Sequence, residues 1–525
     1  MANTFFRVSL GALFVSGSAV AVSIGFLGGA GCGSSSSNNA TGMGGMAGSG
    51  MGGMAGTGTG TGGSGNVTGT AGDTGSGGGK QPAVQITLGA MLPRTGPNAN
   101  DDWISAVTLA VNQMNAAMLA STSTRPIKFV LNQVDTASNQ AMGLAAMTTF
   151  ATAGAPVVVS ESTGAATGGN MYNYTTGNTP IPVIAFSATS SDLNNATKTD
   201  TDPIKQAALQ DAGNWFFRTC PISSSLSNIR YGLIFSKGPN MNGDINGDGT
   251  VKITWVGTND TATASSISGD ITNFTAKAPA GIPFIHETVT FDPGTDPTTF
   301  SYTNVILQCT DNITADTGAT DVYTDLIYNK ALTNVAIPFI KAYKTSGRTI
   351  PMFHDGSFRR NTILVALGTS ADGQEGVSPV AFENTTSGHQ FATDEQAVTS
   401  FPPAAYESQA YDAAILAMSA VAKAWFADPT LTAAPTPDLV RTAMTQLNDA
   451  AGTKFGAGVT SLTAGVNLLA AGSSVNYDGA SGPVDLDSVG NVTTRAAWWQ
   501  ITGGLFVEKQ IYDCIADPSC PKTTF

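Results

Sequence analysis

Charge is scarce in this sequence. Asp, Glu, Lys and Arg together make up 12% of the 525 residues, and the balance is acidic, with a formal net charge of -13. No basic run occurs, so nucleic acid and anionic membrane surfaces are excluded as electrostatic partners. Histidine is scarcer still. The three present, His286, His354 and His389, show no zinc-ligand spacing with any cysteine. No nucleophile elbow or His-Glu-x-x-His stretch accompanies them, so nothing organises acid–base or covalent catalysis and an enzyme is not expected. A hydrolase would require one of these histidines to lie in a cleft.

Cysteine is limited to five. Setting Cys32 aside, Cys220, Cys309, Cys514 and Cys520 form an even set that suits an oxidising compartment and allows three connectivities. Cys514 and Cys520 enclose only five residues, with an Asp-Pro turn, which favours a local bridge; Cys220 and Cys309 then pair by elimination. What the chain has in excess is glycine, 61 residues. Twenty of them fall among the 48 positions from 33 to 80, where Met-Gly-Gly-Met-Ala-Gly repeats at 43–48 and 51–56 and the only charges are Asp73 and Lys80. Such a segment cannot bury enough apolar surface to offset its backbone entropy, so residues 33–82 read as a disordered Gly/Ser/Met tether spanning roughly 40 Å.

Ahead of the tether, Arg7 is the only charge before a weakly apolar stretch from Val8 to Phe26, as in a signal peptide. The small residues Gly28-Gly29-Ala30-Gly31 before Cys32 resemble a bacterial lipobox, with Gly29 where that pattern usually carries Leu. The resemblance implies that residues 1–32 are a lipoprotein signal ending at a lipidated Cys32. The protein is then expected in the cell envelope, periplasmic or at the cell surface, held to a membrane by its lipid.

The remaining length exceeds what one core usually serves, so two globular lobes are expected. From Val84 strand and helix patterns alternate: strands at 84–92, 127–134, 157–160 and 181–186, helices at 103–118 and 141–150, and a second series from Ile229 through 322–327, 335–343 and 351–354. Alternation implies parallel sheets covered on both faces, hence two doubly wound, three-layer α/β lobes. Residues 238–280, rich in Gly, Asn, Asp and Thr, read as a polar insertion. Within it Asp244, Asn246, Asp248 and Thr250 reproduce the first oxygen ligands of a calcium loop, with Gly249 at position 6 and Trp255 in place of the closing acid, so a structural calcium is an expectation beside an Asn/Gly turn series.

Several collinear motifs resemble the type I periplasmic solute-binding proteins, the branch that includes leucine/isoleucine/valine receptors of ABC importers. They are Leu88–Pro97, Asn112 to Asn115, Asp135–Asn139, Ile181–Leu193, Phe217-Arg218-Thr219, Glu375-Gly376-Val377, Tyr411–Ala414 and Tyr477–Asp487. The resemblance covers residues 84–510. It implies three chain crossings, with lobe one formed by 84–216 and 403–470, lobe two by 217–402 and 471–525, and a hinge near Arg218 to Pro221. It also implies a small-molecule, amino-acid-like ligand whose carboxylate is held by Ser162, Thr163, Ser187, Ala188 and Thr189. Glu375 would then close over the ligand's ammonium, and a membrane permease would receive the loaded form. The Thr189/Asp192 spacing suggests a capped helix start at the same place. Asp101 and Ala331 stand where the family carries pocket aromatics, which implies a more polar side-chain pocket. The long tether and the insertion favour a second reading, a surface sensory or adhesive lipoprotein with the same fold and a sensor protein as partner.

Overall fold

The computed structural model describes residues 82–96, 98–259, 261–294, 296–311, 324–381, 384–515 and 520. The signal segment, Cys32 and the tether lie outside the described residues. Among those residues no helix is long and apolar enough to cross a membrane.

The first stretch alternates β1 (Val84–Leu92), α1 (Asp101–Ala120), β2 (Ile127–Asp135), α2 (Gln140–Thr152), β3 (Val158–Ser162), α3 (Thr163–Asn173), β4 (Val183–Ser187), α4 (Pro203–Gln210) and β5 (Phe216–Arg218). The second runs α5 (Ser223–Ile234), β6 (Val251–Thr258), α6 (Thr261–Lys277), β7 (Phe284–Phe291), α7 (Thr303–Asp311), β8 (Leu326–Asn329), α8 (Thr333–Thr345), β9 (Met352–His354), α9 (Asn361–Leu367) and β10 (Glu375–Pro379). The chain continues through α10 (Thr386–Thr399), α11 (Glu407–Ala427), α12 (Pro437–Met444), β11 (Thr453–Phe455), α13 (Val459–Ala470), β12 (Val475–Gly479) and β13 (Gly482–Pro483). It closes with β14 (Arg495–Thr502) and β15 (Leu505–Asp513).

Two sheets carry the fold. The first has the order β2-β1-β3-β4-β5, all parallel. The second repeats that winding as β7-β6-β8-β9-β10 and adds β14 and β15 antiparallel on its edge. In each sheet the order reverses once, between β1 and β3 and between β6 and β8, and the loops leaving the carboxyl ends on either side of such a point open a crevice.

Local chemistry sets the elements. Asn100 caps α1 by accepting the Asp102 N–H, and Asp101 and Asp102 oppose the positive helix end. Ser162 caps α3, accepting from Ala165 N–H at 3.4 Å. The first sheet buries Trp103, Met114, Phe186 and Tyr411 on one face, and Met91, Met147, Phe150 and Phe216 on the other. Helices α2 and α3 approach so closely that a Cβ on Gly168 would stand 1.9 Å from the Gln140 carbonyl oxygen, and one on Gly143 2.4 Å from that of Ala165.

Three expectations are corrected. Residues 238–280 are not an insertion: Val251–Thr258 is a wholly buried strand of the second sheet, and only the turns before it are irregular. The buried Lys252 and Thr254 break its apolar pattern, and each is matched, Lys252 Nζ by Asp248 at 2.8 Å and Thr254 by Thr324. The crossings also move: α10 packs on α1, and β12 pairs with β11, so the chain changes lobe between β10 and α10 and between β13 and β14 rather than at 403 and 471. The third concerns cysteine. Cys514 and Cys520 are bonded, but Cys220 and Cys309 are free and lie in the cores of different lobes. Burial pushes the Cys220 thiol up to about 12, which disfavours the reactive thiolate at neutral pH. With Cys32 replaced by serine, a thiol reagent should find no reactive group in the native protein and two after unfolding without reductant; none after unfolding would restore the second bridge.

Candidate functional site

The two sets of strand ends face a common cavity of about 600 Å³. From the first sheet come Ser138 after β2, Ser162 and Thr163 at the junction of β3 and α3, and Ser187 at the end of β4 with Thr189 and Ser190 following it. The second contributes Thr258 and Asn259 after β6, Lys330 after β8, Asp355 and Arg360 after β9, and Ser266 and Asp270 from α6. Tyr406 and Trp103 close the base.

Four of the expected residues therefore meet here: Ser162, Thr163, Ser187 and Thr189. Ala188 stands behind the wall, fully buried, its carbonyl accepting from Arg218 at 3.0 Å. The Ser187 hydroxyl is buried without a hydrogen-bond partner, a state that costs free energy unless something else supplies the bond. The expected helix start at Thr189 is absent. Residues 188–202 form turns, pinned because the buried Arg218 guanidinium also donates to the Ser190 and Leu193 carbonyls at 2.9 and 2.8 Å. An arginine that spends its charge on three loop carbonyls fixes the loop that presents Ser187 and Thr189.

Beneath this wall Glu161 is fully buried and accepts from Thr136 and Ser138 hydroxyls at 2.7 and 2.9 Å. Burial pushes its carboxyl up, and those hydrogen bonds oppose the shift. Glu161 therefore orients Ser138 from behind.

Glu375 is not in the cavity. It begins β10, at the amino end of a parallel strand, whereas the cavity lies at the carboxyl ends. Its carboxylate meets Lys237 Nζ at 2.5 Å and accepts from Trp498 Nε1 at 2.9 Å. Other acids face the cavity from the second lobe, and none of them was legible as a site residue in the sequence. Lys330 Nζ lies 2.6 Å from Asp270 and 2.9 Å from Asp355, and Arg230 lies 2.6 Å from Asp355 and 3.6 Å from Asp270. Burial alone would push the Asp355 carboxyl up, but the charges of Arg230 and Lys330 outweigh it and hold the carboxyl well below the usual range.

Arg360 is 2% exposed, and its guanidinium lies 3.9 Å from the centroid of the Trp103 ring. Its Nε donates to the Ser357 carbonyl at 3.2 Å, and its Nη1 has no partner. Asp102 and Asn361 meet across the same junction of the lobes. None of the three histidines lines the cavity: His354 is buried against Asn329 and Gln374, and His286 and His389 are exposed on β7 and α10.

The 244–250 loop fits a cation poorly. Asp244 spends its oxygens on the N–H groups of Gly247, Asp248 and Gly249, and the Asp248 carboxylate is matched by the buried Lys252 ammonium, which a divalent ion would have to sit beside. Among the described residues no cluster of three or more His, Cys, Asp or Glu side chains is placed to hold a metal.

Carboxyls collect near the junction as well. Burial pushes Glu395 up to about 7, and Asp412, behind the first sheet, up to about 6. Groups raised in this way bind protons more tightly folded than unfolded, so the stability they contribute is present at low pH and is lost as pH rises through 6–7. Thermal unfolding should therefore peak near pH 5 and decline toward pH 8, with Glu395→Gln flattening the decline; a midpoint that climbs steadily from pH 5 to 8 contradicts these assignments.

No protein-family model matches the chain, and no curated protein sequence does. Solved structures match instead. A leucine binding protein from Thermotoga maritima superposes with a TM-score of 0.56 at 13% identity, covering 81% of this chain and 98% of its own. The fold is that of the type I periplasmic binding proteins. A solute-binding protein of an ABC transporter from R. palustris, in complex with benzoate, gives 0.55 at 17% identity over 85% and 98% of the two chains. A branched-chain amino acid transporter substrate binding protein from Streptococcus pneumoniae, in complex with isoleucine, gives 0.54 at 14% identity over 81% and 99%. In this binding-protein fold the paired crevices at the carboxyl strand ends face one another, which is where Ser187, Lys330 and Arg360 stand.

Proposed function

We propose that this chain is an extracytoplasmic solute-binding protein of an ABC-type importer, not an enzyme, and that it captures a small carboxylate-bearing solute by closing its two lobes. The observation that carries the reading is the unpartnered Ser187 hydroxyl beside the start of α3 in a cavity between two sheets of the same winding. A helix N-terminus with serine and threonine hydroxyls beside it accepts a carboxylate. The cavity's size suits a ligand of metabolite size. Closure turns on the crossing at Arg218 to Pro221, and a permease receives the closed form. Relatives of the fold are described with leucine, isoleucine or benzoate, and all three are small carboxylates.

Isothermal titration with a panel of small carboxylates is the test. At least one should bind, and Ser187→Val should weaken it by roughly 10-fold or more, because the valine leaves the ligand oxygen unmatched. A panel that gives no heat, or a Ser187→Val variant of unchanged affinity, contradicts the reading.

Cys32 lipidation and the tether belong to the same proposal. Cys32→Ser should move the protein from the membrane fraction to the soluble one, and unchanged fractionation would remove the anchor from the account.

A further inference from the structure

The proposed function leaves open what accompanies the carboxylate, and the charges around the cavity bear on it. Asp270 and Asp355 could have met a ligand ammonium, but the protein's own cations already occupy them. Lys330 lies within 2.9 Å of both, and Arg230 pairs with both from behind, at 2.6 and 3.6 Å. Two acids and two cations leave that quartet neutral. The remaining acid on the cavity, Asp292, is exposed at its mouth. An ammonium entering the enclosed part would meet no free carboxylate and would face Lys330, at a desolvation cost nothing offsets.

Arg360 is the opposite case. It lines the cavity, is almost wholly buried, makes no ion pair among the described residues, and keeps an N–H group without an acceptor. Asp102, Glu407 and Glu161 act on it through space, but none of them forms an ion pair with its guanidinium. A buried, unpaired guanidinium fork on the same cavity as an unpartnered serine hydroxyl asks for an anion with acceptor oxygens. Hydroxyl and amide side chains share the rest of the wall with Trp103, Leu332 and Tyr406. The polar part is made by Ser138, Ser190, Ser224, Thr258, Asn259 and Asn273. That surface suits a ligand carrying several hydroxyls better than an aliphatic side chain.

We propose that the cleft selects hydroxylated organic acids that lack an ammonium group, the class of aldonic, uronic and 2-hydroxy acids, with Arg360 as the anchor of the carboxylate. This rests on the receptor reading above and narrows its ligand. In the enclosed part of the cavity the second lobe thus brings the ligand an unpaired cation, Arg360, and no unpaired acid.

The test is calorimetry on matched pairs that differ only at one group: gluconate against 2-amino-2-deoxygluconate, malate against aspartate, 2-hydroxyisocaproate against leucine, with gluconamide as the uncharged control. At least one acid should bind, its amino counterpart should be at least ~10-fold weaker, and Arg360→Gln should weaken the acid by roughly 10- to 100-fold. Arg360→Lys guards against a variant that merely misfolds. It keeps the charge without the fork and should recover part of the loss, with an unfolding midpoint recorded for both. Tighter binding of an amino acid than of its hydroxy analogue overturns the inference and leaves the receptor reading standing. So does an acid whose affinity Arg360→Gln leaves unchanged. If no acid of the set binds, the ligand class is overturned, and the receptor reading is then decided separately by whatever solute the native protein releases on denaturation.

Discussion

Asp355→Asn is expected to cost the second lobe about 3–5 kcal/mol of stability. The substitution keeps the shape and removes the charge, so Arg230 and Lys330, each 2% exposed, are left with Asp270 as their one partner in the quartet. An unpaired buried cation is far more costly than an absent pair, which is why the second-site change Lys330→Met should restore much of the loss. The double-mutant cycle would then show a coupling of roughly 1–3 kcal/mol. Chemical denaturation of wild type, both single variants and the double measures it, and a loss under ~1 kcal/mol for Asp355→Asn would mean that the quartet is not desolvated as described. The sign with pH follows from the depressed Asp355 carboxyl. Its contribution is present above the ordinary carboxylate range and fades on acidification as pH falls toward its folded value. That is the low-pH limb of the stability profile, opposite to the limb set by Glu395.

The second large effect lies in the opposite lobe. Gly168→Val puts atoms where the Gln140 carbonyl oxygen already stands, 1.9 Å from the ideal Cβ position, with the Leu144 N–H 2.8 Å away. Both neighbours are backbone, so no side chain can yield and α3 must separate from α2. Overpacking of this kind costs about 1–3 kcal/mol or more. Because α3 begins at Thr163, the displacement also reaches Ser162 and Thr163 in the cavity wall. The variant should therefore lose solute affinity as well as stability. Loss of stability with full retention of affinity would show that the wall does not depend on the seating of α3.

Much of the first lobe was legible before any coordinates. Apolar runs with clear periods gave β1, α1, β2 and α2 to within a residue or two of their ends, because those strands and helices bury one consistent face. The hydroxyls Ser162, Thr163, Ser187 and Thr189 could be named from the family resemblance, whose motifs fall at the carboxyl ends of β3 and β4. In the second lobe, β8, α8 and β9 were also legible, but one strand hid itself for a physical reason. The lobe's first strand, Val251–Thr258, carries Lys252 and Thr254 in fully buried positions, which Asp248 just ahead of the strand and the distant Thr324 make tolerable there. Local pattern cannot register a partner such as Thr324, supplied from seventy residues on. The same limit explains Glu375: an acid ahead of a glycine looks alike at either end of a strand, and the strand's direction in the sheet decides which end meets the ligand. Lys330, Asp355 and Arg360 did carry a signal, since they follow strands that the sequence pattern places at 322–327 and 351–354, but a charged residue after a strand looks the same whether it faces a cleft or solvent.

The account stands on a solute held between the two sets of strand ends, and native mass spectrometry of protein isolated gently from its own cells asks for it directly. The native mass should exceed the denatured mass by one discrete small-molecule increment, and Ser187→Val should reduce or abolish that increment. Identical native and denatured masses, together with no stabilisation by any fraction of a metabolite extract, would contradict the account.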